Sequence, residues 1–157
     1  MPLASCDSCV SWLNPLCLVT AQLVANCLMK FEHFALNVPD TRAQAQWYVK
    51  NVGFTIARSR DDEPFTHFLA DETGRIIVEF YTNPKQAIPN YAELHPLSFH
   101  IAVATADARA ERARLEKAGA KLFVEDPQPD GSLLIMMRDP WSVPLQLCQR
   151  TKPFPLP

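Results

Sequence analysis

FEHFALNV, residues 31–38, reads as a β-strand with a histidine on a face that otherwise carries only small or polar side chains. Alternate residues of a strand share a face, so Phe34, Leu36 and Val38 point one way and His33, Ala35 and Asn37 the other. Taken alone, a histidine in such a strand is most simply a packed, hydrogen-bonded core residue. A second copy of the pattern changes that reading. SFHIAVAT, residues 98–105, again sets a histidine, His100, with Ala102 opposite the bulky Phe99, Ile101 and Val103.

The echo extends along the chain. Shifting first-half numbers by 67 places His33 on His100, Asp40 on Asp107, Arg42 on Arg109, Lys50 on Lys117 and Glu79 on Gln146. An internal repeat of this kind marks a duplicated supersecondary unit. In the first unit, Asp40 caps a helix to about residue 51 and Gly53 closes it. Strands follow at 55–59, 66–70 and 75–81, separated by turn-forming stretches. In the second unit a strand at 97–104 precedes the Asp107 cap. A helix then runs to 118, and strands follow at 121–125, 133–138 and 143–149. Each unit is β-α-β-β-β. The expected fold is therefore α+β, two paired βαβββ modules forming a curved sheet around a cleft. The modules are 30–81 and 97–149, joined by the linker 82–96 with its three prolines, within a domain at 29–150. Residues 151–157 form a C-terminal tail.

The first 28 residues differ from the rest. Asp7 is their only charged side chain. Asn14, Pro15, Gln22 and Asn26 interrupt their apolar run, which does not suit a spanning helix, and a signal peptide's early positive charge is missing. The simplest reading is a disordered leader or a start at Met29; a membrane-associating leader is the alternative. Cys6 and Cys9 form a CxxC, but no second pair or nearby histidine completes a zinc set. A formal net charge of −2, with 48% apolar and 20% charged residues, is ordinary for a globular domain of 157 residues. It gives no footprint for nucleic acid. A cytoplasmic protein without a membrane partner is expected.

His33, Glu79, His100 and Gln146 each sit opposite their strand's bulky apolar neighbours. If the modules pair, two imidazoles, a carboxylate and a carboxamide share one concave surface. A carboxylate buried there without a partner is costly. A divalent cation would satisfy all four groups, and such N/O ligands suit zinc, nickel, iron, manganese or cobalt.

The motifs EHFALNVPD, WYVKNVGF, IIVEFY, SFHIAVATAD and DPWSVPLQL, in this order and spacing, resemble the vicinal oxygen chelate superfamily. That group contains glyoxalase I, methylmalonyl-CoA epimerase, fosfomycin- and bleomycin-resistance proteins and extradiol dioxygenases. The resemblance covers about residues 30–150. It implies one divalent metal held by His33, Glu79, His100 and Gln146, acting as a Lewis acid on vicinal oxygens of a small substrate. A glyoxalase-like lyase or isomerase would proceed through a metal-stabilised enediolate, with Glu79 as catalytic base. It also implies substrate contacts at Asn37 and Asn83. Asn37 stands where glyoxalase I has an arginine for glutathione, whereas Asn83 matches the family's asparagine. His67 or Phe68 would line the pocket, and Arg138 would meet an anionic substrate. Trp141 and Ser142 replace the usual small residues of the last hairpin. Two alternatives follow from the same family. One is a metal-free, ligand-sequestering protein of the bleomycin-resistance type. The other is an Fe(II) extradiol-type dioxygenase, whose carboxylate would come from the last strand, where this chain has Gln146. Short members of the family pair as homodimers, with the cleft completed near the interface.

Overall fold

Two aspartates start the two helices. Asp40 Oδ1 accepts the Ala43 amide at 3.0 Å, and Asp107 Oδ1 accepts the Ala110 amide at 3.0 Å. Each bond satisfies a donor that a helix N-terminus leaves open. In the computed structural model, which describes residues 29–154, α1 spans Thr41–Val52 and α2 spans Ala108–Lys117. Gly53 ends α1 at φ +90°, where its N–H reaches the Tyr48 carbonyl. A residue with a β-carbon would be strained in that left-handed position.

The strands are β1 (Phe34–Asn37), β2 (Thr55–Ser59), β3 (His67–Ala70), β4 (Ile76–Tyr81), β5 (Ile101–Ala104), β6 (Lys121–Pro127), β7 (Leu133–Arg138) and β8 (Pro144–Gln149). They form two four-stranded mixed sheets, ordered β1-β4-β3-β2 and β5-β8-β7-β6. β1 runs parallel to β4 and β5 parallel to β8, and the other pairings are antiparallel. This is the expected α+β pair of βαβββ modules, and among the described residues the strands close no barrel.

Three details differ from the sequence reading. The histidine strands begin later, at Phe34 and Ile101, so His33 and His100 each sit just ahead of their strand. Before β5 the chain turns instead, with Ser98 N–H donating to the His95 carbonyl at 2.8 Å. β6 runs on to Pro127 because its pairing with β7 continues through Pro127 and Leu133. The constant offset of the repeat also slips by one residue in the middle strands: Phe68 is matched by Met136, and Arg58 by Val124. The expectations for residues 1–28 lie outside the described residues. Among the described residues, no helix is long and apolar enough to cross a membrane.

Bulky faces point inward as the alternation predicts. Val38, Tyr48, Leu69, Val78 and Phe80 from the first module and Leu115, Ile135, Met137 and Leu145 from the second are buried in one cluster. The modules meet on their helix side. Trp47 Nε1 donates to the Ala118 carbonyl at the end of α2 (2.8 Å), and Arg114 donates to the Asn51 carbonyl at the end of α1 (2.6 Å). Each helix thus satisfies a C-terminal carbonyl of the other. Gln44 Nε2 donates to Asp139 Oδ2 (2.6 Å), tying α1 to the β7–β8 turn. The opposite, small-residue faces stay open: Ala35, Ala102 and Ala104 are exposed.

Candidate functional site

The open face of the first sheet is a row of paired residues. Ala35 lies beside Glu79, Glu79 beside Phe68, and Phe68 beside Arg58. His33, two residues before Ala35, brings Nε2 to 3.1 Å from Glu79 Oε2. Both side chains are partly accessible, at 26% and 20%. The Phe68 ring stands edge-on to the His33 imidazole, with centroids 5.2 Å apart. The hollow on this face measures about 360 Å³ and takes in Arg58, Thr66, Phe68 and Glu79.

The second sheet repeats the row with different chemistry: Ala102, Gln146, Met136 and Val124. His100 Nδ1 lies 3.0 Å from the Pro96 carbonyl. A carbonyl can only accept, so Nδ1 is the donor and, in the neutral ring, Nε2 carries the lone pair. The Cys148 thiol donates to Gln146 Oε1 at 3.3 Å, and burial pushes that thiol's pKa up. A hollow of about 300 Å³ here is walled by Leu97, Phe123, Val124, Leu134 and Met136 beside Gln146. Among the described residues, no three His, Cys, Asp or Glu side chains gather closely enough to hold a metal. His33 and Glu79 therefore meet beside the first sheet, while His100 precedes β5 and Gln146 lies on β8 of the second.

The remaining sequence candidates are placed as follows. Asn37 is buried and its carboxamide is taken up by the linker: Oδ1 accepts the Asn83 amide (2.9 Å) and Nδ2 donates to the carbonyls of Asn83 (3.2 Å) and Gln86 (3.4 Å). The Tyr91 hydroxyl adds a bond to the Asn37 carbonyl (2.9 Å). Asn83 Oδ1 accepts the Lys85 amide. His67 is buried beside Phe80 on the helix side, with Nδ1 2.8 Å from the Phe65 carbonyl, so Phe68 and not His67 faces the hollow. Arg138 donates to the carbonyls of Tyr91 (2.6 Å), Leu94 (2.7 Å) and Ser142 (3.0 Å) and lies over the Phe123 ring. Asn37 and Arg138 thus strap the linker down from its two ends. Replacing Asn37 with Ala should cost about 2 kcal/mol, because two carbonyls and an amide lose their partner. Urea unfolding of the two proteins measures this, and an unchanged midpoint would remove the strap.

One buried cluster escaped the sequence reading. Asp139 is 3% exposed. Its Oδ1 accepts the amides of Trp141 and Val143 and its Oδ2 accepts Gln44, while burial lifts its pKa to about 6. The Tyr48 hydroxyl stops short of a formed hydrogen bond to it, and burial together with the Asp139 charge drives that hydroxyl's pKa well up. The sequence signal was the Asp-Pro of the last hairpin, which reads equally well as an exposed turn.

Comparison with known proteins agrees with this architecture. Residues 30–147 match the model of the Glyoxalase/Bleomycin resistance protein/Dioxygenase superfamily. No curated protein matches the sequence. Among solved structures, glyoxalase I from Zea mays is 21% identical with a TM-score of 0.62; the match covers 78% of this chain and 45% of that one. TnmS3, an antibiotic binding protein from Streptomyces sp. CB03234, is 18% identical (TM-score 0.56, covering 78% of this chain and 96% of that one). A possible glyoxalase from Bacillus cereus is 17% identical (TM-score 0.55, 77% and 99%). At such identities the likeness is one of fold.

Proposed function

Because the chain belongs to the Glyoxalase/Bleomycin resistance protein/Dioxygenase superfamily, we propose that it is a divalent-metal-dependent lyase or isomerase of the glyoxalase type, acting on a small substrate with vicinal oxygens. The observation that carries the reading is the approach of His33 Nε2 to Glu79 Oε2 at 3.1 Å on an open sheet face. An imidazole nitrogen and a carboxylate oxygen brought this close are the kind of N/O pair that would hold a divalent cation. His100, with Nδ1 held by the Pro96 carbonyl, and Gln146 supply the complementary pair from the other sheet. β1 and β5 are both sheet edges, so a second copy pairing β1 with β5 would unite His33 and Glu79 of one chain with His100 and Gln146 of the other. The homodimer is part of the proposal.

A metal so held supplies Lewis acidity toward two neighbouring substrate oxygens and makes the adjoining C–H more acidic. The rest is done by side chains. Glu79, the carboxylate of the set, takes the substrate's C–H proton and delivers it to the neighbouring carbon. Phe68 and the apolar wall of the second hollow keep water from the reacting atoms. Cys148, hydrogen-bonded to Gln146 Oε1, orients the carboxamide. The test is metal analysis of the purified chain, with turnover of a panel of small compounds bearing vicinal oxygens before and after a chelator. About one transition metal per chain and chelator-sensitive turnover are expected, and Glu79→Gln should lower turnover at least a hundredfold.

A second reading is favoured by the apolar lining of the Leu97–Phe123–Met136 hollow: a binding protein that sequesters its ligand without chemistry. It predicts binding unaffected by a chelator and a chain that purifies without stoichiometric metal.

A further inference from the structure

The geometry points to Arg58 as the residue that selects the substrate, by taking a carboxylate carried on an apolar frame. Strict alternation in β2 would turn Arg58 to the same side as Ile56, toward the helix layer. A bulge between Ile56 and Arg58 breaks the alternation, so that Arg58 pairs with Phe68 and lines the hollow with Glu79. Bulges re-aim side chains in this way. Arg58 therefore ends the row that runs through Phe68 to Glu79, two strand spacings away, about 10 Å between backbones.

Its guanidinium is also uncommitted. The α2 arginines pair with glutamates, and Arg42 and Arg60 pair with Asp61 and Asp62. Arg138 is held by carbonyls, Arg150 lies over Phe154, and Arg75 is engaged as well. Among the described residues, Arg58 is the arginine left without such a partner. The fold does not demand a cation there, since the same bulge in β6 sets Val124 at the matching place.

A planar fork of N–H donors suits a carboxylate. Thr66 and Arg60 also line the hollow, but Arg60 is paired with Asp62, so among the described residues there no second uncommitted cation favours a dianion. Phe68, between Arg58 and Glu79, offers a ring for the ligand's apolar body. A ligand whose carboxylate sits on Arg58 would lay its other end over His33 and Glu79. The selecting role rests on the proposal that this pair is the reacting end; the carboxylate contact itself needs no metal.

The test uses metal-free protein and two matched probes, phenylacetate and the neutral phenylacetamide, followed by NMR shifts of the Phe68 and His33 rings. Wild type should bind phenylacetate about tenfold more tightly than the amide, one charge-assisted pair's worth. Arg58→Leu should bring the two within about twofold, and Arg58→Lys should keep part of the preference. No preference in wild type, or an undiminished one in Arg58→Leu with native circular dichroism, overturns the assignment. Metal content is read separately. A wild type that holds no metal but prefers phenylacetate defeats the metalloenzyme reading and leaves Arg58 standing.

Discussion

His33→Ala and His100→Ala chains should each purify with less than about a tenth of the wild-type metal, since each removes one of two nitrogen donors. The more demanding outcome concerns their mixture. In a two-fold dimer built from half-sites, each metal position takes His33 and Glu79 from one chain and His100 and Gln146 from the other. A heterodimer of the two variants then has one position lacking both histidines and one with both intact. Co-refolding equal amounts should restore metal to about a quarter of all positions, because half of the dimers are mixed and each mixed dimer has one whole site. Full occupancy in either single variant would defeat the ligand set. Loss in both without recovery on mixing would leave the ligands and remove the shared site. The expectation follows from the proposed ligands lying on two different sheets.

The second large effect lies on the opposite side of the molecule. Asp139 has a folded pKa of about 6, raised by burial, against an ordinary value near 3.8. A carboxyl with a raised pKa prefers to be neutral in the fold. Its contribution is fully present below about pH 3.8 and is lost as pH rises through about 6. Over that window the shift corresponds to as much as about 3 kcal/mol. Asp139→Asn keeps a carbonyl for the Trp141 and Val143 amides. It also offers an N–H₂ toward the Gln44 side chain and the Tyr48 hydroxyl, both of which contain buried oxygens without a partner. The stability of Asp139→Asn relative to wild type should therefore climb between pH 4 and pH 7 and then level off. Taking the difference cancels the carboxylates whose pKa values hydrogen bonds lower, such as Asp71 and Asp130. Denaturant unfolding at several pH values gives the two curves, and parallel curves would show that the carboxyl is not a buried acid. Asp139→Ala should be destabilised at every pH, because two turn amides and Gln44 are then left unsatisfied.

Sequence reading reached far where signals are local. The Asp40 and Asp107 caps, the Gly53 stop and the alternation of small against bulky residues each depend on a few neighbouring side chains, and each recurs in the structure. The 67-residue echo places His33 and Glu79 on one face, and they do meet. It places His100 and Gln146 in the same way, but a facing pattern within each sheet does not say whether two sheets face each other. The hydrogen bonds of Asn37 and Arg138 are not legible for a related reason: their partners are backbone carbonyls of the linker, which leave no trace in side-chain identity. Arg58 is not legible as a site residue because a bulge changes the parity of its strand, and no residue in TIARS announces one.

The helix-side contacts of Trp47, Gln44 and Arg114 carry a last consequence. They join the modules far from the open sheet faces, so the residues that would meet a ligand are not the ones that hold the fold together. The two rows illustrate it: an arginine, phenylalanine and glutamate on one sheet, a valine, methionine and glutamine on the other, over the same backbone pairing. Substitutions at the exposed ends of these rows, Arg58 and Val124, can redirect what the molecule recognises at little cost in stability, whereas Met136 is buried and its replacement also loses packing.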